Sequence, residues 1–121
     1  MNSKDFFQKV YKVVKMIPSG RVSTYGLIAK YLGSEKSSRV VGYAMNASHQ
    51  NSDIPAHRVV NRVGLLTGKH HFSGTTLMQN LLESEGIKIQ NDRVLNFKNV
   101  VWDPSKAVSY THLRAHETPA N

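Results

Sequence analysis

Near the start of the chain the apolar positions fall into a helical rhythm. Phe6, Val10, Val13, Val14 and Ile17 share one helix face, while Lys4, Lys9, Lys12 and Lys15 lie off it. An amphipathic helix is therefore predicted over 3–17. Asn2 or Ser3 can cap it, and Pro18-Ser19-Gly20 ends it. A second, shorter helix is predicted over 24–32, capped by Ser23 or Thr24, with Leu27, Ile28, Tyr31 and Leu32 facing inward. Gly33 supplies its left-handed stop. Ser34-Glu35-Lys36 makes a tight link to a third helix that starts at Ser37 or Ser38 and carries Val40, Val41, Ala44 and Met45 as its apolar stripe. Two short helices joined in this way have the composition of a helix-turn-helix unit.

Beyond residue 45 the rhythm weakens. Residues 46–55 are polar and irregular. Residues 57–67 read as a short hairpin or wing, with Gly64 providing a positive φ in the turn Asn61-Arg62-Val63-Gly64. A loop over 68–74 leads into a last helix over 75–85 that buries Leu77, Met78, Leu81 and Leu82 and closes at Gly86. Ile87 and Ile89 alternate with polar neighbours and suggest a brief strand. Val94, Leu95, Phe97, Val100, Val101 and Trp102 are expected to fold back onto the core. The pattern predicts a mainly α domain with a small β-hairpin, winged helix-turn-helix-like, over 1–107. Residues 108–118 read like one translated frame of a transposon-end sequencing adapter, so 108–121 are expected to be a non-native or disordered tail.

Charge and composition narrow the partners. The chain has 121 residues, a length that suits one small domain. Sixteen Lys and Arg face eight Asp and Glu, a formal charge of +8 that favours polyanionic partners and fits nucleic acid. Many basic proteins bind no DNA specifically, so charge alone goes no further. The absence of cysteine excludes disulfides, thiolate metal sites and cysteine nucleophiles. The N-terminus lacks the apolar run of a signal peptide and no segment has the length of a bilayer span. We expect a cytoplasmic monomer with no membrane partner, associated with the nucleoid when bound to DNA.

The chemistry concentrates in Ile54-Pro55-Ala56-His57-Arg58-Val59. This stretch resembles Pro-Cys-His-Arg-Val, the active-site signature of the 6-O-alkylguanine-DNA alkyltransferases, with alanine in place of the nucleophilic cysteine. A methyl side chain has no lone pair and no ionisable proton, so it cannot take up an alkyl group. The pattern is that of the alkyltransferase-like family. The resemblance runs from about Lys4 to Trp102 and covers the alkyltransferase C-terminal, DNA-binding domain.

That resemblance assigns roles along the chain. Gly20-Arg21-Val22-Ser23-Thr24-Tyr25 matches the segment entering the helix-turn-helix, which implies that Thr24 touches DNA and that Tyr25 meets the phosphate and a flipped guanine. From the residue alone, the favoured reading of Tyr25 is a partly buried tyrosine with its hydroxyl in solvent; its register with Ala56 reverses that. Ser38-Arg39-Val40-Val41-Gly42 matches a recognition helix that enters the minor groove. That groove is only about 6 Å wide, so small side chains at Ser38 and Gly42, one turn apart, suit the entering face. Arg39 matches the arginine that fills the gap in the base stack, a role for which a planar cation is fitted. A plain phosphate contact is its other reading. Met45 is carried over as a further DNA-facing position.

In the signature itself, Ala56 and Val59 are expected to line the lesion pocket through their backbone carbonyls. His57 and Glu85 match the pair that activates the thiolate in true transferases; here they keep a structural role as a buried hydrogen-bonded pair. Arg58 is expected to brace the loop. Lys69 stands where transferases have a pocket tyrosine. It is read either as a cation over the purine or beside the lesion oxygen, or as a loop lysine on phosphate. The family's hinge asparagine is replaced by Ser48, with Asn46 and Asn51 as alternatives. His70-His71 with His57 or His49 fits no compact zinc pattern, so no metal and no cofactor are expected.

The resemblance thus implies non-enzymatic binding of 6-O-alkylguanine in duplex DNA, base flipping, and marking of the site for nucleotide-excision repair proteins. The residues alone leave two rivals. A helix-turn-helix regulator would read undamaged DNA through the major groove. A hydrolytic or metal-dependent DNA enzyme would use His57, Glu85 and His70-His71.

Overall fold

A computed structural model describes residues 3–33, 37–50 and 53–107. The capping side chain at Asn2 or Ser3, the link Ser34-Glu35-Lys36, Asn51 as a hinge and the tail 108–121 lie outside the described residues. Helix α1 spans Ser3–Met16 and buries Val10, Val13 and Val14 on the expected face, with Ile17 just past its end. Strand β1 (Ser23–Thr24) leads directly into α2 (Tyr25–Tyr31). Thr24 is the extended N-cap, and its hydroxyl accepts from the Leu27 N–H at 3.0 Å. Such a cap contributes about 1 kcal/mol. Gly33, at φ +84, ends this helix as expected. Helix α3 (Ser38–Ala47) packs across α2 and α1.

Strand β2 (Val59–Val60) pairs with β1, and the pairing is parallel, Ser23 opposite Val59 and Thr24 opposite Val60. Adjacent strand residues face opposite ways. Val59 therefore joins a core with Val10, Val14, Ile28, Val41, Ala44 and Trp102. Val60 joins a second core with Val22, Leu66, Met78, Leu82, Ile87 and Val94. The two-stranded ribbon divides the protein into these halves.

The small hairpin is present but displaced from the expected place. Residues 57–67 do not fold back on themselves as paired strands. The turn at Asn61–Gly64 forms, with Gly64 at φ +86, but Leu65 bridges to Arg93. The hairpin is β3 (Ile89–Gln90) against β4 (Arg93–Val94). Its two loop residues, Asn91 and Asp92, both have positive φ (54° and 60°), as a type I′ turn requires. Helix α4 (Leu77–Ser84) packs Met78 and Leu82 into the second core and starts later than expected because residues 75–76 remain in a turn. Helix α5 (Phe97–Val100) and a bridge from Val101 to Val22 return the chain to the core, where Trp102 is buried. Arg21 fastens this return by donating to the carbonyls of Val100 (3.0 Å) and Val101 (2.6 Å). Among the described residues no helix is long and apolar enough to cross a membrane.

Candidate nucleic-acid interface

The outward face of α3 and the start of α2 form one continuous surface. Tyr25, Ser38, Arg39, Gly42, Thr67 and Gly68 line an open cleft of about 400 Å³. Burial raises the Tyr25 hydroxyl pKa above its ordinary value, against the lowering effect of a hydrogen bond with Thr67. It is therefore a neutral group able to donate. A Cβ on Gly68 would come within 3.2 Å of that hydroxyl, so the loop approaches Tyr25 closely enough to favour glycine. A Cβ on Gly42 would meet nothing within 4 Å, so no internal contact requires glycine there. Arg39 is exposed on the same face and forms no ion pair among the described residues.

Two positions carried over from sequence do not reach this surface. Met45 is 4 % exposed and packs in the core beside Ala44. The residues that continue the outer face after Arg39 and Gly42 are instead Tyr43, 54 % exposed, and Asn46. Helical spacing from Arg39 points to both. Thr24 is buried and its hydroxyl holds the α2 cap, so it offers no side chain to a duplex.

A second cleft, about 590 Å³, opens beside the signature. Ala56 sits on its wall in a short 3-10 turn, Ala56–Arg58. The Ala56 carbonyl already accepts from the Val59 N–H, and a carbonyl oxygen keeps a second lone pair for a ligand. Val59 itself points into the core, 1 % exposed, so only its backbone can serve a site. His71 lines both clefts and joins them.

Below this wall the signature is clamped by one carboxylate. His57 Nε2 donates to Glu85 Oε2 at 2.7 Å. Arg58 donates to both Glu85 oxygens, through Nε at 3.0 and 3.2 Å and through Nη2 at 2.7 Å. Its Nη1 donates to the Ile17 carbonyl at 2.9 Å. Burial pushes the Glu85 carboxyl upward, but the hydrogen bonds from Arg58 and His57, with help from the Gly20 N–H, outweigh it and hold the group at about 2. Glu85 is thus ionised, and His57 must carry its proton on Nε2. The end of α1, the signature turn and the end of α4 are fixed to one another at this point.

Lys69 departs from the expected arrangement. It lines neither cleft, because its Nζ pairs with Asp92 Oδ2 at 2.6 Å, in the hairpin turn. The hinge candidate Ser48 is buried and donates back to the Met45 carbonyl at 2.6 Å, which ties it to α3 and not to the loop ahead. Among the described residues no three His, Asp or Glu side chains converge as metal ligands would.

Comparison with known proteins agrees with this geometry. Residues 5–87 match the family described as 6-O-methylguanine DNA methyltransferase, DNA binding domain. The chain belongs to that family. Within it, alkyltransferase-like protein 1 of Schizosaccharomyces pombe is 37 % identical over 108 residues, covering 86 % of this chain and all of the relative. The DNA base-flipping protein of Escherichia coli is 33 % identical over 106 residues, 85 % of this chain and 79 % of that one. The crystal structure of S. pombe Atl1 with damaged DNA containing O6-carboxymethylguanine superposes with a TM-score of 0.77, at 37 % identity, over 84 % of this chain and 98 % of the other. This alkyltransferase-like chain carries Ala56 where the alkyltransferase signature has its acceptor cysteine, and the given sequence has no cysteine at any other position.

Proposed function

We propose that the protein recognises 6-O-alkylguanine in duplex DNA without repairing it. The single observation that carries this reading is Ala56 on the wall of a cleft, in a signature turn that Glu85 still holds rigid. The pocket architecture is kept while its reactive atom is absent. The relatives support it: one is named a base-flipping protein, and another is crystallised on damaged DNA.

Binding begins with phosphate neutralisation by the excess cations, a term that weakens steeply with salt. The Ser38–Gly42 face of α3 enters the minor groove. Arg39 occupies the gap in the stack and Tyr25 crowds the backbone, so a guanine rotates outward toward Ala56. Flipping costs a few kcal/mol and is easiest for a poorly paired base. An alkyl group on the 6-oxygen disturbs pairing with cytosine and so lowers that cost itself. No bond forms, and the complex persists as a mark. Nucleotide-excision repair proteins are the partners that such a mark would recruit, and the protein acts as a monomer in the cytoplasm.

The test is a gel shift of one duplex with and without 6-O-methylguanine, followed by analysis of the recovered DNA. Selective retention of the damaged duplex with its methyl group intact is expected. Equal retention of both duplexes, or methyl transfer to the protein, would refute the proposal.

A further inference from the structure

The outer face of α3 carries a large ring that the fold does not use. Tyr43 is 54 % exposed, whereas Tyr11, Tyr25 and Tyr31 are half-buried. Among the described residues its ring meets no other aromatic ring and its hydroxyl has no hydrogen-bond partner. Arg39, Tyr43 and Asn46 follow one another at helical spacing, all exposed, and they line the same cleft as Tyr25, Ser38 and Gly42. A helical side chain leans toward the N-terminus and covers the turn before its own. The Tyr43 ring therefore lies over the turn that bears Arg39. When α3 presents Gly42 to a groove, it brings the neighbouring ring with it.

Resting on the minor-groove docking proposed above, we infer that Tyr43 makes lesion recognition depend on the base pairs beside the lesion, favouring neighbours whose minor-groove floor lacks an amino group. The groove is about 6 Å wide and about 7.5 Å deep, and its floor differs between pair types by one group, the 2-amino donor that guanine adds. A flat ring enters edge-on between the groove walls, and that floor then sets how far it descends. Over A·T the ring seats deeply and buries its apolar faces against the sugars. Over G·C the amino group holds it off. Apolar side chains of other minor-groove proteins act as wedges in the same way. Four residues of helix advance about 6 Å, close to two base-pair steps of about 3.4 Å. With Arg39 in the gap left by the lesion, the ring falls on the adjoining pairs. Tyr43 lines the groove-side cleft and not the one at Ala56, so it acts on context and not on the alkyl group.

The experiment measures fluorescence anisotropy of the full chain on duplexes that differ only in the pairs on both sides of one 6-O-methylguanine. These are G·C in one duplex and inosine·C in the other, with undamaged duplexes of both contexts beside them. Inosine removes the 2-amino group and leaves the major-groove edge unchanged. The weaker inosine·C pair also eases flipping, an effect that needs no Tyr43. The quantity to compare is therefore the inosine-over-guanine preference of the native chain divided by that of Tyr43→Ala. We expect a quotient of about five, the low end of what one disfavoured pair costs a DNA-binding protein, with Tyr43→Phe behaving like the native chain. Tyr43 is exposed, so Tyr43→Ala leaves both cores intact. A quotient near one overturns the inference. Loss of the preference in Tyr43→Phe places the effect on the hydroxyl and overturns the assignment to the ring. A methyl duplex that binds no better than its undamaged counterpart refutes the underlying lesion reading, an outcome read separately from the quotient.

Discussion

His57 Nε2 lies 2.7 Å from Glu85 Oε2, and Arg58 closes on the same carboxylate, although the residue between Pro55 and His57 is an alanine with nothing to activate. In a transferase such a pair polarises a nucleophile. Here its remaining effect is mechanical, because it holds the signature turn against α1 and α4. The arrangement explains how the cleft beside Ala56 keeps its shape without a nucleophile.

That role fixes the outcome of removing the acid. Glu85→Ala leaves two donors of Arg58 and one of His57 without their acceptor in a mostly buried place. Breaking a buried ion pair from one side costs about 3–5 kcal/mol, and the 12 % exposure of the carboxylate places this case near the lower bound. Urea unfolding followed by circular dichroism should show a loss of about 3 kcal/mol. A change below roughly 0.5 kcal/mol, the size of an ordinary surface substitution, would show that the clamp carries no stability.

Acid should act through the same group. The carboxyl is depressed from 4.5 to about 2 in the folded protein. A depressed carboxyl contributes stability that is complete above its unfolded pKa and is lost as pH falls through the folded one. The contribution should thus be whole at pH 6, decline below about pH 4.5 and vanish near pH 2, with an upper size of about 3 kcal/mol. Comparing native and Glu85→Gln unfolding from pH 7 to pH 3 tests the sign. The gap between the two should narrow with acid, and a constant gap would contradict the linkage.

Much of the fold is legible in the sequence because its signals are local. The 3.6 period of α1, the Thr24 cap and the glycine stops at 33 and 86 each involve neighbours within a turn or two, and the folded chain shows all of them. The signature at 55–59 is a fixed string. Contact between distant residues leaves weaker marks. Two-residue strands have no periodicity, so the parallel pairing of Ser23–Thr24 with Val59–Val60 has no counterpart in the hydrophobic pattern. Glycine is the stronger turn residue, which draws a hairpin reading to Gly64, whereas Asn91 and Asp92 take the left-handed conformation without one. Met45 and Asn46 are neighbours in sequence, and only their angle about the helix axis separates core from surface.

Gly42 separates folding from binding. A Cβ there meets nothing within the protein, and alanine is the better helix former by about 0.8–1 kcal/mol. Gly42→Ala should therefore raise the stability of the free protein while weakening its hold on duplex DNA, since the added methyl stands on the face assigned to the groove. Thermal unfolding and anisotropy titration on the same preparation measure the two effects. Improved stability with unchanged affinity would remove α3 from the interface.

The Lys69–Asp92 pair predicts an increase in binding. Its members are 23 % and 47 % exposed, so breaking it should cost less than about 1 kcal/mol of stability. Asn tolerates the left-handed backbone at position 92 almost as well as Asp does. Asp92→Asn frees the ammonium and, with sixteen basic residues against seven acidic ones in place of eight, raises the formal charge from +8 to +9. Affinity for duplex DNA should rise severalfold at low salt. If Lys69 then reaches a phosphate, the plot of log K against log salt should steepen by about 0.9. An unchanged slope would leave Lys69 as a brace for the hairpin and nothing more.

The size of residue 56 should decide which lesions are accepted. Alanine leaves the cleft open from the signature turn to His49 and His71. Bulky 6-O-substituents can then extend past it without moving backbone, and additional apolar burial contributes about 25 cal/mol per Å². In the native chain benzyl and methyl lesions should bind within about an order of magnitude of each other, or 1.4 kcal/mol. Ala56→Phe fills the entrance with a ring that the clamp beneath cannot move aside. It should weaken the benzyl complex far more than the methyl one, and the difference between the two losses is the quantity to measure. Equal losses for both lesions would mean that the substituent leaves the pocket by another route, and that Ala56 faces the guanine without gating what the guanine carries.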